Sequence, residues 1–90
     1  MSRYRLDYTS RADKDLEKLE RADAQRVVRA LEGIRDDPRG HVEKLKTSVA
    51  GSPIHSFDVG RFRVLLQILD DRLLVLVLEV RQRKTAYRDF

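Results

Sequence analysis

Four arginines stand at alternate positions in two short stretches, Gly60-Arg61-Phe62-Arg63 and Arg81-Gln82-Arg83. Guanidinium groups bind phosphate through planar, bidentate hydrogen bonds, so such a grouping suits a phosphate-bearing ligand. Each pair adjoins a largely apolar run, Val64 to Leu69 and Leu73 to Val80, with Asp70-Asp71-Arg72 as turn residues between them. Side chains alternate between the faces of a strand, so parity sorts the charges. Phe62, Val64, Leu66 and Ile68 take one face of the first strand, and Arg61, Arg63, Leu65 and Gln67 take the other. In the second strand Leu74, Leu76, Leu78 and Val80 share a face, with Glu79, Arg81 and Arg83 opposite. A hairpin loop at Asp70-Asp71-Arg72 pairs Leu69 with Leu73, setting Arg63 against Glu79 and Arg61 against Arg81. That register puts both apolar faces on one side, whereas a one-residue slip mixes core with charge. Like charges opposed across strands destabilise by up to roughly 1 kcal/mol. Either an anion sits among the four arginines, or Arg63 pairs with Glu79 and the others fan into water.

The remaining elements must hold this face in place. Tyr4-Arg5-Leu6-Asp7-Tyr8 alternates and carries aromatics, which predicts a short first strand. Ser10-Arg11-Ala12-Asp13 resembles a capping box with Ser10 as N-cap, and Ala12, Leu16 and Leu19 follow at helical spacing. A second helix runs to about Ile34, with Val27, Val28, Leu31 and Ile34 as its apolar stripe, and Asp36-Asp37-Pro38-Arg39-Gly40 ends it. Between Gly40 and Pro53 the pattern is weak, and Lys44-Leu45-Lys46 reads as loop. Ile54 to Val59 reads as a strand, and Gly60 as a tight turn. The expected order is β-α-α-β-β-β. The fold class is α+β, with an N-terminal helix hairpin packed on one face of a small, mostly antiparallel twisted sheet.

Composition narrows the class. Ninety residues allow one domain over 1–90, and 41% hydrophobic content suffices for a compact core. The longest apolar run, Leu73 to Leu78, is far short of the ~20 residues that span a bilayer. Met1 is followed by Ser-Arg-Tyr-Arg rather than an apolar stretch, so no secretory signal is expected and the expected location is cytoplasmic. With no cysteine there is neither a disulfide framework nor a thiolate zinc site. Nineteen Lys and Arg against fifteen Asp and Glu give a net charge of +4. A basic small domain invites a nucleic-acid partner, and the distribution of charge has to decide.

Three segments together resemble the RelE/ParE superfamily of toxins, most closely its RelE branch. Gly60-Arg61-Phe62-Arg63-Val64-Leu65-Leu66-Gln67-Ile68 is similar to the pattern in which a glycine turn, an aromatic and an arginine open an apolar strand. Arg81-Gln82-Arg83-Lys84-Thr85-Ala86-Tyr87-Arg88 is similar to the closing signature, Gly-His-Arg followed by variable residues, an apolar residue and Tyr. Lys44-Leu45-Lys46 resembles the Lys-Leu segment placed before the second strand of the superfamily. With element order and length, the resemblance covers essentially the whole chain, as a single RelE-like toxin domain. It implies the toxin of a type II toxin–antitoxin pair that enters the ribosomal A site and cuts mRNA there. The 2′-hydroxyl of the mRNA attacks the adjacent phosphate, and no metal or other cofactor takes part.

Carried over by position, the resemblance makes Arg63 and Arg83 transition-state charge stabilisers and Tyr87 a stacking or proton-transfer group. Lys44, Lys46, Arg61, Arg81 and Lys84 become contacts to RNA. Two basic residues assist catalysis on the second strand of well-known RelE members, whereas Ser56 and Asp58 stand at the matching positions here. Gln82 and Arg81 replace the usual His and Gly of the closing signature. Asp58 is thus a candidate general base or a salt-bridge partner of Arg61. His55 is a second candidate base if the strand register differs by one, and otherwise a surface strand histidine. The alternative role for Tyr87 is to pin the C-terminus against the sheet, and Phe90 serves packing or antitoxin contact. The resemblance implies a RelB-like antitoxin that folds on binding, with mRNA and ribosome as targets and no membrane partner. A gyrase inhibitor of the ParE kind and a degenerate toxin that only binds antitoxin stay open as alternatives.

Overall fold

Apolar alternation and two glycine turns build a five-stranded sheet, which the computed structural model describes over residues 3–83. The strands are β1 (Arg5–Tyr8), β2 (Glu43–Val49), β3 (Ser52–Val59), β4 (Phe62–Leu69) and β5 (Leu74–Gln82), in spatial order β1-β5-β4-β3-β2. Only β1 and β5 pair in parallel; the other neighbours are antiparallel. Helices α1 (Ser10–Glu17) and α2 (Arg21–Gly33) connect β1 to β2 and cover one sheet face. None of the described helices is long and apolar enough to cross a membrane.

The expected α+β class holds, with one strand more than the pattern predicted. Lys44-Leu45-Lys46 lies in β2, an edge strand, rather than in a loop. Leu45 is the only half-buried residue of this strand and the others are exposed, so apolar periodicity is nearly absent from it. The N-cap of α1 is Thr9, whose hydroxyl accepts from the Ala12 amide at 3.1 Å, not Ser10.

The core lies between helices and sheet. Val27 and Leu31 of α2, Ile34 at its C-cap and Ala12 of α1 meet Phe62, Val64, Leu66 and Ile68 of β4 and Val75, Val77 and Val80 of β5. Val28 is only half-buried, since the α2 stripe that meets the sheet centres on Val27 and Leu31. Burying a Leu or Val side chain contributes roughly 1.5–3 kcal/mol, so this layer holds the sheet to the helices.

The β4–β5 register differs from the expected one in two compensating ways. Asp70–Arg72 forms a short 3-10 turn, and Leu73 follows in the left-handed region at φ 47°, so Leu69 pairs with Leu74 rather than Leu73. That shift turns Leu74 and Leu76 away from the helices and Val75 and Val77 toward them. A bulge then lies opposite Leu65 and Leu66, with Leu66 facing Val77 and Leu65 facing Glu79, leaving Leu78 as the extra residue. Beyond the bulge Val80 points into the core, Glu79 and Arg81 return to the open face, and Arg83, just past the end of β5, approaches Asp58 there.

A candidate phosphate-binding face

On the open face, opposite the helices, one row of side chains runs across three strands. Asp58 of β3 is directly opposite Arg63 of β4, which is directly opposite Arg81 of β5. The next row is Ser56, Leu65 and Glu79. The expected opposition of Arg63 to Glu79 and of Arg61 to Arg81 is therefore replaced by a direct Arg63–Arg81 pair. The Gly60-Arg61 turn delivers the row: Gly60 at φ 56° closes a two-residue hairpin between Val59 and Phe62, a conformation that glycine adopts without strain.

Carboxylates separate the like charges. Arg63 Nε donates to Asp58 Oδ1 at 3.0 Å and Nη2 to Oδ2 at 3.4 Å, a forked contact. Arg83 Nε lies 3.8 Å from the second Asp58 oxygen. Hydrogen bonding to Arg63 holds the Asp58 carboxyl below its ordinary range, against a smaller opposing effect of burial, and the Arg63 and Arg83 charges add to the lowering. Arg81 Nη2 donates to Glu79 Oε1 at 2.7 Å, and Glu79 Oε2 pairs with Arg11 Nη2 at 3.3 Å. Beside the row a groove of about 290 Å³ is lined by Leu45, Thr47, Ile54 and Leu65 along with Arg63, Glu79 and Arg81. Guanidinium groups at the rim of an apolar floor can neutralise a phosphate while a base lies on the floor.

Not every expected site residue joins this face. Arg61 turns toward α2, where its Nη2 donates to Asp23 Oδ2 at 2.8 Å and its guanidinium sits 5.3 Å from the Phe62 ring centre. It does not pair with Asp58; Arg63 does. Its carbonyl accepts from the Arg83 amide at 2.8 Å, so its backbone still borders the site. Lys44 is opposite His55, and in that register both point to the helix side rather than to the arginine row. Lys46 shares the parity of Lys44 on the exposed edge strand.

His55 is not a surface histidine. It is 4% exposed, aligned with Leu66 on the core side, and so faces away from Asp58 and Arg63. Its Nδ1 is buried without a hydrogen-bond partner among the described residues. Burial lowers its pKa first, and the nearby Arg39 and Lys44 charges lower it further. The neighbouring Arg39 Nη2 donates to Asp70 at 2.6 Å, and Asp70 also accepts from the Tyr4 hydroxyl at 2.7 Å.

Lys84, Tyr87 and Phe90 lie outside the described residues. Glu79, 15% exposed in its side chain, was not among the expected site residues, although the sequence already set it opposite Arg63 as a possible counter-charge. Among the described residues no cluster of His, Asp and Glu is arranged to hold a metal ion.

Comparisons with known proteins agree with this architecture. The family model of the ParE toxin of type II toxin–antitoxin systems (parDE) matches residues 6–87. The RelBE2 toxin–antitoxin complex of Mycobacterium tuberculosis contains a chain of 29% identity and TM-score 0.79, with 91% of this chain and all 100% of that one covered. The archaeal RelE–RelB complex of Pyrococcus horikoshii gives 19% identity and TM-score 0.74, with 91% and 97% covered. Isolated RelE toxin of E. coli gives 20% identity and TM-score 0.68, with 99% and 100% covered. No curated protein sequence matches significantly. An α+β sheet of this topology, matched over nearly its whole length by one family, places the chain in the ParE toxin family of type II toxin–antitoxin systems, within the RelE/ParE superfamily.

Proposed function

We propose that this toxin is a ribosome-dependent endoribonuclease that cuts mRNA in the A site. The observation that supports it is the Asp58–Arg63–Arg81 row, with Arg83 beside it, at the rim of an apolar groove on the open sheet face. In the proposed reaction the 2′-oxygen attacks phosphorus and the bond to the leaving 5′-oxygen breaks, giving a 2′,3′-cyclic phosphate. A proton leaves the 2′-hydroxyl and another reaches the 5′-oxygen. Arg63 and Arg83 neutralise the charge that builds on the phosphoryl oxygens, and Arg81 fixes the neighbouring phosphate. Tyr87 is proposed as the stacking or proton-transfer group.

Asp58 faces this reaction in a double role. Held ionised by Arg63, it blocks the guanidinium until a phosphate displaces it. Its depressed pKa makes it a weak proton acceptor, so the proposal gives it the part of a displaceable counter-charge ahead of that of a base. Lys44 and Lys46, outside the row, are proposed as contacts to RNA backbone, as is Lys84, and Arg61 as support for the turn.

The partner proposed is a RelB-like antitoxin. Its acidic segments would compete with RNA for the basic face, and the exposed apolar side chains Val49 and Leu73 suit a wrapping segment. The matching family model is that of the ParE toxin, and inhibition of DNA gyrase is the second reading kept beside the endonuclease. Both are tested by adding purified toxin to a translation extract with a defined mRNA and, separately, to a gyrase supercoiling reaction. Discrete A-site cuts with unaffected supercoiling support the endonuclease; intact mRNA with inhibited gyrase replaces it.

A further inference from the structure

The direction of the arginine row depends on the bulge at Leu78. Ahead of it, Val75 and Val77 point to the helices. Unbroken alternation would carry Glu79, Arg81 and Arg83 to that same side, into the core, and send Val80 to water. The extra residue restores the arginines to the face of Arg63.

The bulge is gripped from outside the sheet, where β1 has ended and α1 has become the neighbour of β5. The Thr9 hydroxyl donates to the Leu78 carbonyl at 2.7 Å and accepts from the Ala12 amide at 3.1 Å, using both its capacities. The Thr9 amide donates to the Val77 carbonyl at 3.0 Å. Two residues past the bulge, the Val80 amide donates to Asp15 Oδ2 at 3.0 Å. Asp15, 12% exposed in its side chain, also pairs with Arg11 Nε at 3.2 Å, and Arg11 reaches Glu79, which holds Arg81. A carboxylate spent on a strand amide, within an unbroken chain to a site arginine, is more than a surface helix pair requires.

We infer that Thr9 and Asp15 are positioning residues: they lock the β5 bulge and thereby set Arg81 and Arg83 on the side of Arg63. Neither touches the ligand. The inference rests on the proposed function for its consequence in RNA binding, but its structural claim is read out independently.

The test compares wild type with Asp15→Ala and Asp15→Asn, the last retaining an acceptor oxygen for Val80. Three readouts are taken: Val80 amide exchange, cross-strand NMR contacts, and binding of a labelled single-stranded oligouridylate. With the bulge in place, contacts join Arg63 to Arg81 and Val64 to Val80; in the slipped register Val64 meets Glu79. Loss of a hydrogen bond to a charged group predicts that Asp15→Ala loses about tenfold or more of its Val80 protection. The facing pairs shift with it and oligouridylate affinity falls by about as much, while Asp15→Asn restores all three. If Asp15→Ala does not fold, Thr9→Val against Thr9→Ser gives the same comparison at the Leu78 carbonyl. Native pairs retained in the variant, or a slipped register with unchanged affinity for a binding wild type, overturn the inference. A wild type that binds no RNA, with a variant that slips, refutes the RNA reading and leaves the positioning role standing.

Discussion

Replacing Asp58 by Asn should weaken the fold slightly and strengthen RNA binding. Asp58 occupies Arg63 through two contacts, 3.0 and 3.4 Å, and stands 3.8 Å from Arg83. A phosphate that takes Arg63 must therefore displace a carboxylate. The side chains of Asp58 and Arg63 are 41% and 22% exposed, so solvent screens the pair and its worth is about 0.5–1 kcal/mol. Asp58→Asn should lower unfolding free energy by about that amount at neutral pH. Binding no longer has to break the pair, and 1 kcal/mol is about fivefold in affinity. Removing one negative charge from the row also lets one further phosphate be neutralised, which steepens the log–log salt slope by about 0.7 for a single strand. Fluorescence anisotropy of a labelled oligouridylate between 50 and 200 mM salt measures both quantities. Affinity unchanged or lowered, with an unchanged slope, would refute the reasoning that Asp58 competes with phosphate.

Three further outcomes follow from the same structure. Burial and two nearby cations lower the His55 pKa from 6.5, so the unfolded chain binds the proton first as pH falls. Stability should therefore decline from about pH 6.5 down to the depressed folded value and then level off, and His55→Phe should flatten that part of a denaturant-midpoint profile. Arg61 pairs with Asp23 rather than with the row, so Arg61→Ala should cost about 0.5–1 kcal/mol in stability and leave oligouridylate affinity within about twofold, by titration. Ala50 sits at φ 53° beside Gly51 at φ 81° in the β2–β3 hairpin, where Asn is better tolerated, so Ala50→Asn should raise the urea midpoint by the equivalent of about 0.5–1 kcal/mol.

Much of this architecture was legible in the residues. Val27, Leu31 and Ile34 mark one helical stripe, and Phe62, Val64, Leu66 and Ile68 mark one strand face, because charged neighbours punctuate both patterns. Leu73 to Leu78 offers no such punctuation: every residue is apolar, so parity there is silent and the bulge at Leu78 could not be seen. The charges beyond it, Glu79, Arg81 and Arg83, still sorted correctly because Val80 anchors their parity. β2 was hidden for another reason, being an exposed edge with little to bury. Arg61 and Asp15 act across tertiary space. Nothing in the turn tells Arg61 to prefer Asp23, and Asp15 at four residues from Arg11 looks like an ordinary helix-surface partner. His55 alternates correctly with Phe57 and Val59, so its burial follows once β3 is known to have a core side.

The most direct test of the central claim places an mRNA in the A site of purified ribosomes, either all-ribose or with one 2′-deoxy nucleotide at the cut position. Wild-type toxin should cut the ribose message once, leaving a 2′,3′-cyclic phosphate. It should leave the 2′-deoxy message whole, and Arg63→Ala and Arg83→Ala should abolish or severely slow the cut. Cutting of the 2′-deoxy message, or undiminished cutting by both arginine variants, would contradict the account.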